Sequence, residues 1–159
     1  MFINTAYHAM LTDTAIWQLV VKNMANNTGG HAPRKRFGQN FLQDDGVIQA
    51  IARAISANKD DHVVEIGPGQ GALTESLVTS GCQLDAIELD RDLTTGLLAA
   101  FSIHPRFTLH TGDALKFDYG ALRADDKPLR VVGNLPYNIS TPLIFKLLEN
   151  TAIIGDMHF

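Results

Sequence analysis

His62-Val63-Val64-Glu65-Ile66-Gly67-Pro68-Gly69-Gln70-Gly71 is the stretch that decides the fold. A short β-branched run ending on glycine reads as a buried parallel strand that feeds a tight turn. Leu73, Leu77 and Val78 follow at helical spacing and predict a helix ending near Gly81. Gln83 to Leu89 predicts a second strand, and Leu93, Leu97, Leu98 and Phe101 mark the next helix. Phe107 to Thr111 predicts a third strand ending at Gly112-Asp113. Leu129 to Gly133 predicts a fourth, running into Asn134-Leu135-Pro136-Tyr137. Thr141 and Pro142 read as the N-cap and first turn of a helix continued by Leu143, Phe145, Leu147 and Leu148. Upstream, Asp44 or Asp45 caps a helix carrying Val47, Ile48, Ile51, Ala52 and Ile55. Strand and helix alternate throughout, which predicts an α/β domain with a parallel sheet.

Outward from that core, residues 1–33 read as an N-terminal extension, with Asn23 to Pro33 as a flexible linker and Met24 as the expected natural start. Residues 34–159 form the domain. The chain has 159 residues, 45% of them apolar and 19% charged, a globular composition. No apolar run reaches the roughly 18 residues of a membrane span, and the N-terminus makes a poor signal peptide. The single Cys82 suits a reducing compartment, so a cytoplasmic location is expected. The histidines show no metal spacing, and no metal is expected. The net charge of −4 argues weakly against nucleic acid, but its distribution argues the other way: Thr14 to Gln43 holds no Asp or Glu and carries Arg34, Lys35 and Arg36. That cluster reads either as a solvated charge run or as a phosphate contact beside an active site.

In parallel sheets, ligands bind beyond the carboxyl ends of the strands. Gly67, Glu88, Asp113 and Asn134 each close a predicted strand. Gly67 and Gly69 permit a tight turn and close approach of backbone to ligand. Glu88 lies 21 residues after Gly67, where a carboxylate can accept both hydroxyls of a ribose. This spacing serves a nicotinamide dinucleotide as well as S-adenosyl-L-methionine. Asp113 can accept from an adenine amino group, or cap a helix. Asn134-Leu135-Pro136-Tyr137 is the most informative motif. An aromatic amine is a poor nucleophile, because its lone pair is delocalised into the ring. The Asn134 side-chain oxygen and the Leu135 carbonyl can hold both amino hydrogens and aim the lone pair. Pro136 stiffens the turn without a competing N–H, and Tyr137 can stack on an extruded base.

Taken together, Arg36-Phe37-Gly38-Gln39-Asn40-Phe41-Leu42, Glu65-Ile66-Gly67-Pro68-Gly69, Glu88-Leu89-Asp90 and Asn134-Leu135-Pro136-Tyr137-Asn138-Ile139-Ser140 resemble the KsgA family of ribosomal RNA adenine dimethyltransferases. The resemblance covers roughly residues 31–159. It implies a Rossmann-like class I methyltransferase fold, with about four to five parallel strands of the usual seven. It implies S-adenosyl-L-methionine as cofactor and, as substrate, two adjacent adenosines near the 3′ end of small-subunit ribosomal RNA, each methylated twice on N6 during ribosome assembly. It places Gln39, Asn40 and Leu42 over the cofactor, Gly67 and Gly69 against it, Glu88 on its ribose, Asp113 on its adenine and Asn134 between cofactor and base. Arg34, Lys35 and Arg36 are the expected RNA contacts. The family's fifth strand is expected to begin at Met157-His158-Phe159, leaving the fourth strand as an open edge prone to association, with the helical RNA-binding domain absent. On that reading the chain alone has little activity. Two rival functions stand beside this one: an RNA-binding or assembly factor that uses the same pocket without turnover, and a nicotinamide-dependent Rossmann enzyme.

Overall fold

The computed structural model describes residues 42–123, 126–135 and 137–159, with Tyr137 as backbone only. The N-terminal extension, Arg34, Lys35, Arg36, Gln39, Asn40 and Pro136 lie outside the described residues.

Helix α1 (Asp45–Ile55) starts where the Asp44 carboxylate accepts the Val47 N–H at 3.0 Å, and it buries Ile48 and Ile55. Strand β1 (His62–Ile66) is buried at every residue, as a central strand covered on both faces must be. Helix α2 (Ala72–Thr79) follows the glycine turn, then β2 (Gln83–Glu88). Helix α3 (Arg91–Phe101) is capped by Asp90 and buries Leu93, Leu97, Ala100 and Phe101, one face of a 3.6-residue repeat. Strand β3 (Phe107–Thr111), a 3-10 turn (Tyr119–Leu122), β4 (Leu129–Val132), α4 (Tyr137–Leu148) and β5 (Ile154–His158) complete the described order.

The five strands are all parallel, in the order β3-β2-β1-β4-β5. Chain order reverses between β1 and β4, so the crevice of this sheet opens at the carboxyl ends of those two strands. Val64, Ile66, Leu129 and Val131 pack on one face against Tyr119, Leu143 and Leu147. On the same face Asp85 receives two imidazoles, His62 and His110, each with Nε2 at 2.6 Å from a different carboxylate oxygen. Burial alone would raise Asp85, but the hydrogen bonds and charge of the two imidazoles outweigh it and hold the carboxyl below its usual value. Alternation sends Glu65 to the opposite face, under α2, where Thr74 meets it.

Two expectations need correction. The fifth strand lies within the chain: it begins at Ile154, not at Met157, so β4 is not an edge. Arg130 of β4 secures the new neighbour, with its guanidinium on both Asp156 oxygens at 2.9–3.1 Å, on Asp61 at 3.0 Å and on the Ile55 carbonyl at 2.8 Å. These side-chain bonds compensate a run, Ile-Gly-Asp-Met-His, that is weak in β-formers. The helix after β4 begins at Tyr137, well before the expected cap at Thr141, and Pro142 sits inside it. Pro142 is the sixth residue of that helix, past the first turn, so it removes one N–H that would otherwise donate to the Asn138 carbonyl.

Candidate functional site

The turn after β1 is built on three left-handed glycines, with φ of +64° at Gly67, +61° at Gly69 and +88° at Gly71. A side chain on Gly71 would strike the Phe101 ring at 2.5 Å, whereas one on Gly67 would meet open space. Gly67 therefore faces room that a ligand can fill, and Gly71 holds the turn against α3. The Gly67 N–H donates to the Ile87 carbonyl at 2.9 Å, continuing the β1–β2 ladder to the lip of the crevice.

Glu88 ends β2 beside this turn, 6% exposed. Its carboxylate accepts the Gly69 N–H at 3.1 Å and the Asp90 N–H at 2.8 Å, one on each oxygen. Burial raises its pKa, and these backbone donors only partly offset that. Beside these backbone donors, the two carboxylate oxygens keep lone pairs for hydroxyl groups. Asp113 follows β3 and is half-buried, with Oδ1 accepting the Leu115 N–H at 3.0 Å. The Gly112 N–H reaches the Glu88 carbonyl at 2.9 Å, so the ends of β2 and β3 are tied together.

Asn134 follows Gly133, whose amide donates to the His158 carbonyl at 3.1 Å. A Cβ on Gly133 would sit 2.5 Å from the Ile66 carbonyl oxygen, so only glycine lets the two turns come this close. They meet in one cleft of about 380 Å³, part of it open to solvent, lined by Leu42, Glu65, Gly67, Pro68, Gly69, Gln70, Ala72, Leu73 and Asn134. Of the residues singled out from the sequence, Leu42, Gly67, Gly69 and Asn134 share this cleft. Glu88 joins it through the Gly69 amide, and Asp113 stands beyond, at the end of β3. Leu135 packs part-buried against the core. Tyr137 opens α4.

Glu65 was not singled out as a site residue, because it lies inside an apolar strand run and reads there as part of a buried strand. It is 2% exposed, accepts the Thr74 hydroxyl at 2.7 Å and lines the cleft. Burial pushes its carboxyl up to about 7, with the charge of Glu88 adding to the shift against the Thr74 bond. An acidic residue in an otherwise apolar strand that leads into a glycine turn is the signal that could have found it.

No Lys or Arg lines this cleft among the described residues. Two buried carboxylates without a cation favour a positively charged guest and oppose a pyrophosphate. The Gly69 amide, which a pyrophosphate would seek, is already turned to Glu88. The arrangement thus fits a sulfonium nucleoside better than a nicotinamide dinucleotide. Among the described residues no helix is long and apolar enough to cross a membrane, and no group of His, Cys, Asp and Glu is placed to hold a metal ion.

Comparison with known proteins places this geometry in context. Residues 30–159 match the family described as ribosomal RNA adenine dimethylase. The ribosomal RNA small subunit methyltransferase A of Pseudomonas syringae pv. syringae (strain B728a) is 64% identical over 129 residues, which cover 81% of this chain and 48% of that protein. The chain therefore spans about half the length of such relatives. Among solved structures, the 23S rRNA methyltransferase ErmE aligns at a TM-score of 0.64 and 31% identity, over 74% of this chain and 47% of that one. A dimethyladenosine transferase from Plasmodium falciparum aligns at 0.61 and 27%, over 72% and 40%.

Proposed function

Because the chain belongs to the ribosomal RNA adenine dimethylase family, we propose that it is the catalytic half of an enzyme that uses S-adenosyl-L-methionine to dimethylate N6 of adenosines in small-subunit ribosomal RNA. The substrate in this reading is the pair of adjacent adenosines near the RNA 3′ end, in the assembling subunit of the bacterial cytoplasm. The observation that carries the reading is that the glycine turn and the Asn134 turn line the same cleft.

When bound, S-adenosyl-L-methionine supplies an electrophilic methyl group on a cationic sulfur. The chain's residues do the positioning. Gly67 and Gly69 admit the ligand against backbone, Glu88 takes the ribose hydroxyls, Asp113 takes the adenine amino group, and Leu42, with Gln39 and Asn40, closes over it. Asn134 and the Leu135 carbonyl accept the two hydrogens of the target amine and turn its lone pair toward the methyl group. Pro136 stiffens that turn, and Tyr137 stacks on the flipped base. Arg34, Lys35 and Arg36 meet RNA phosphates. Each transfer moves one methyl to nitrogen and releases one amine proton, so two donors and two protons are turned over per adenosine. Rate comes from orientation and preorganised acceptors rather than from a strong base.

Two measurements test this. Calorimetric titration of the chain is expected to show binding of S-adenosyl-L-methionine and not of NAD; the reverse result would refute the cofactor assignment. In a full-length family member, Asn134→Ala is expected to lower kcat about 100- to 1000-fold with RNA affinity retained. A biological role that survives this change would favour a binding or assembly factor.

A further inference from the structure

The acid that this mechanism leaves unused is Glu65. Its carboxyl is buried on the α2 side of the sheet, held by the Thr74 hydroxyl at 2.7 Å, and the residue lines the same cleft as Gly67, Gly69 and Asn134. Among the described residues, the ionisable groups around it offer no cation. Glu88 on β2 acts on it by repulsion, and the Cys82 thiol at the foot of β2 feels its charge in turn. Glu75 on α2 and Asp45 on α1 are acidic. Arg130 on β4 is committed to Asp61 and Asp156. A carboxylate in such a place is costly to ionise unless its counter-charge arrives from outside.

Resting on the cofactor reading above, we propose that Glu65 is the residue by which the cleft distinguishes a sulfonium ligand from its neutral thioether product: it yields a proton to solvent when the cation enters and takes one back once the charge is gone. The methyl donor and the demethylated product share adenine, ribose and the amino-acid tail, so Glu88, Asp113 and the glycine turn bind both alike. They differ at sulfur by one methyl and one positive charge. A neutral wall cannot use that charge, whereas a buried ionised acid can. Before binding, the Glu65 carboxyl sits near neutrality and is about half protonated at pH 7. The sulfonium stabilises the ionised form, so donor binding is coupled to proton release and product binding is not. Transfer removes the charge, the proton returns and the product's hold weakens.

The test is calorimetric titration of the 159-residue chain with S-adenosyl-L-methionine and with S-adenosyl-L-homocysteine, in buffers of differing ionisation enthalpy. The wild-type chain is expected to release about half a proton per methyl donor bound at pH 7 and close to none with the product. Between pH 7.5 and 6.0 the donor-to-product affinity ratio is expected to fall about four- to eightfold. In Glu65→Gln the ratio is expected to be lower and independent of pH, and Thr74→Val should change proton release without abolishing it. Equal proton release with both ligands, or a pH-independent ratio in the wild-type chain, overturns the proposal while leaving the cofactor assignment intact. So does a Glu65→Gln variant that keeps the wild-type pH dependence. Failure of the wild-type chain to bind either ligand overturns both.

Discussion

Replacing Gly133 with alanine probes the close approach of the turn after β4 to the end of β1. The added Cβ would lie 2.5 Å from the Ile66 carbonyl oxygen, and distances under 3.0 Å are essentially never found for real Cβ atoms. The opposing atom is backbone, so no side chain can swing aside. The two strand ends must part by at least about half an ångström, and overpacking of this kind costs about 1–3 kcal/mol. Gly133 is not among the left-handed glycines, so the substitution isolates contact from backbone strain. The same parting carries Asn134 away from Gly67. A 1 Å misplacement can cost about a hundredfold in rate, which puts the expected loss in kcat at about tenfold or more. The assays are urea unfolding of the chain and single-turnover methyl transfer in a full-length family member, with RNA affinity as the control. Wild-type stability together with a wild-type transfer rate would refute the idea that this contact sets the spacing of the site.

Other expectations follow from the buried charges. Arg130→Met removes hydrogen bonds to three groups, Asp156, Asp61 and the Ile55 carbonyl, from a partly exposed site, and about 2–3 kcal/mol of unfolding free energy should be lost at pH 7 after discounting for solvent; a loss under about 0.5 would show the β5 latch to be decorative. Asp156 is held below its ordinary value because Arg130 and His158 outweigh its burial; that contribution is present above the ordinary carboxylate range and fades as pH falls through the lowered pKa. Glu65 behaves in the opposite sense. Its folded value of about 7 exceeds the ordinary 4.5, so its contribution is intact below 4.5 and is lost as pH rises through 7. Glu65→Gln should therefore be more stable than wild type by about 2–3 kcal/mol at pH 8 and equal to it near pH 4.5, as read by urea midpoints; an unchanged difference across that range would contradict the assignment. Asp85→Ala strands two imidazoles and is expected to cost about 3 kcal/mol at pH 7, with a thermal shift near zero as the contrary result.

What could be read from the sequence follows from physical signal strength. Strands β1, β3 and β4 announced themselves because β-branched residues fill short runs that end on Gly, whereas β2, with Ile87 as its single β-branched residue, was legible from its place between two helical repeats. Gly67, Glu88 and Asn134 could be placed at strand ends, and their convergence followed from the parallel topology alone. Strand β5 carried no such signal: Gly155, Asp156 and His158 are poor strand formers, and what holds Asp156 is Arg130, 26 residues earlier. The start of α4 was misplaced because Pro142 has a stronger local meaning than the fold gives it. Glu65 escaped notice because burial and acidity conflict only once the cleft beside it is known. The basic cluster, Gln39 and Asn40 lie outside the described residues.

The strand order has a consequence for synthesis. His62 pairs with Gln83 on one side and with Leu129 on the other. A nascent chain leaving the ribosome can therefore close β1 on β2 early, but its second edge waits for a partner made 67 residues later. Until β4 and the Asn134 turn have emerged there is no cleft, and a ligand cannot act as a template for the early half of the sheet. In that interval an apolar central strand lies open along one side, at the stage when capture by a chaperone or by a neighbouring chain matters most.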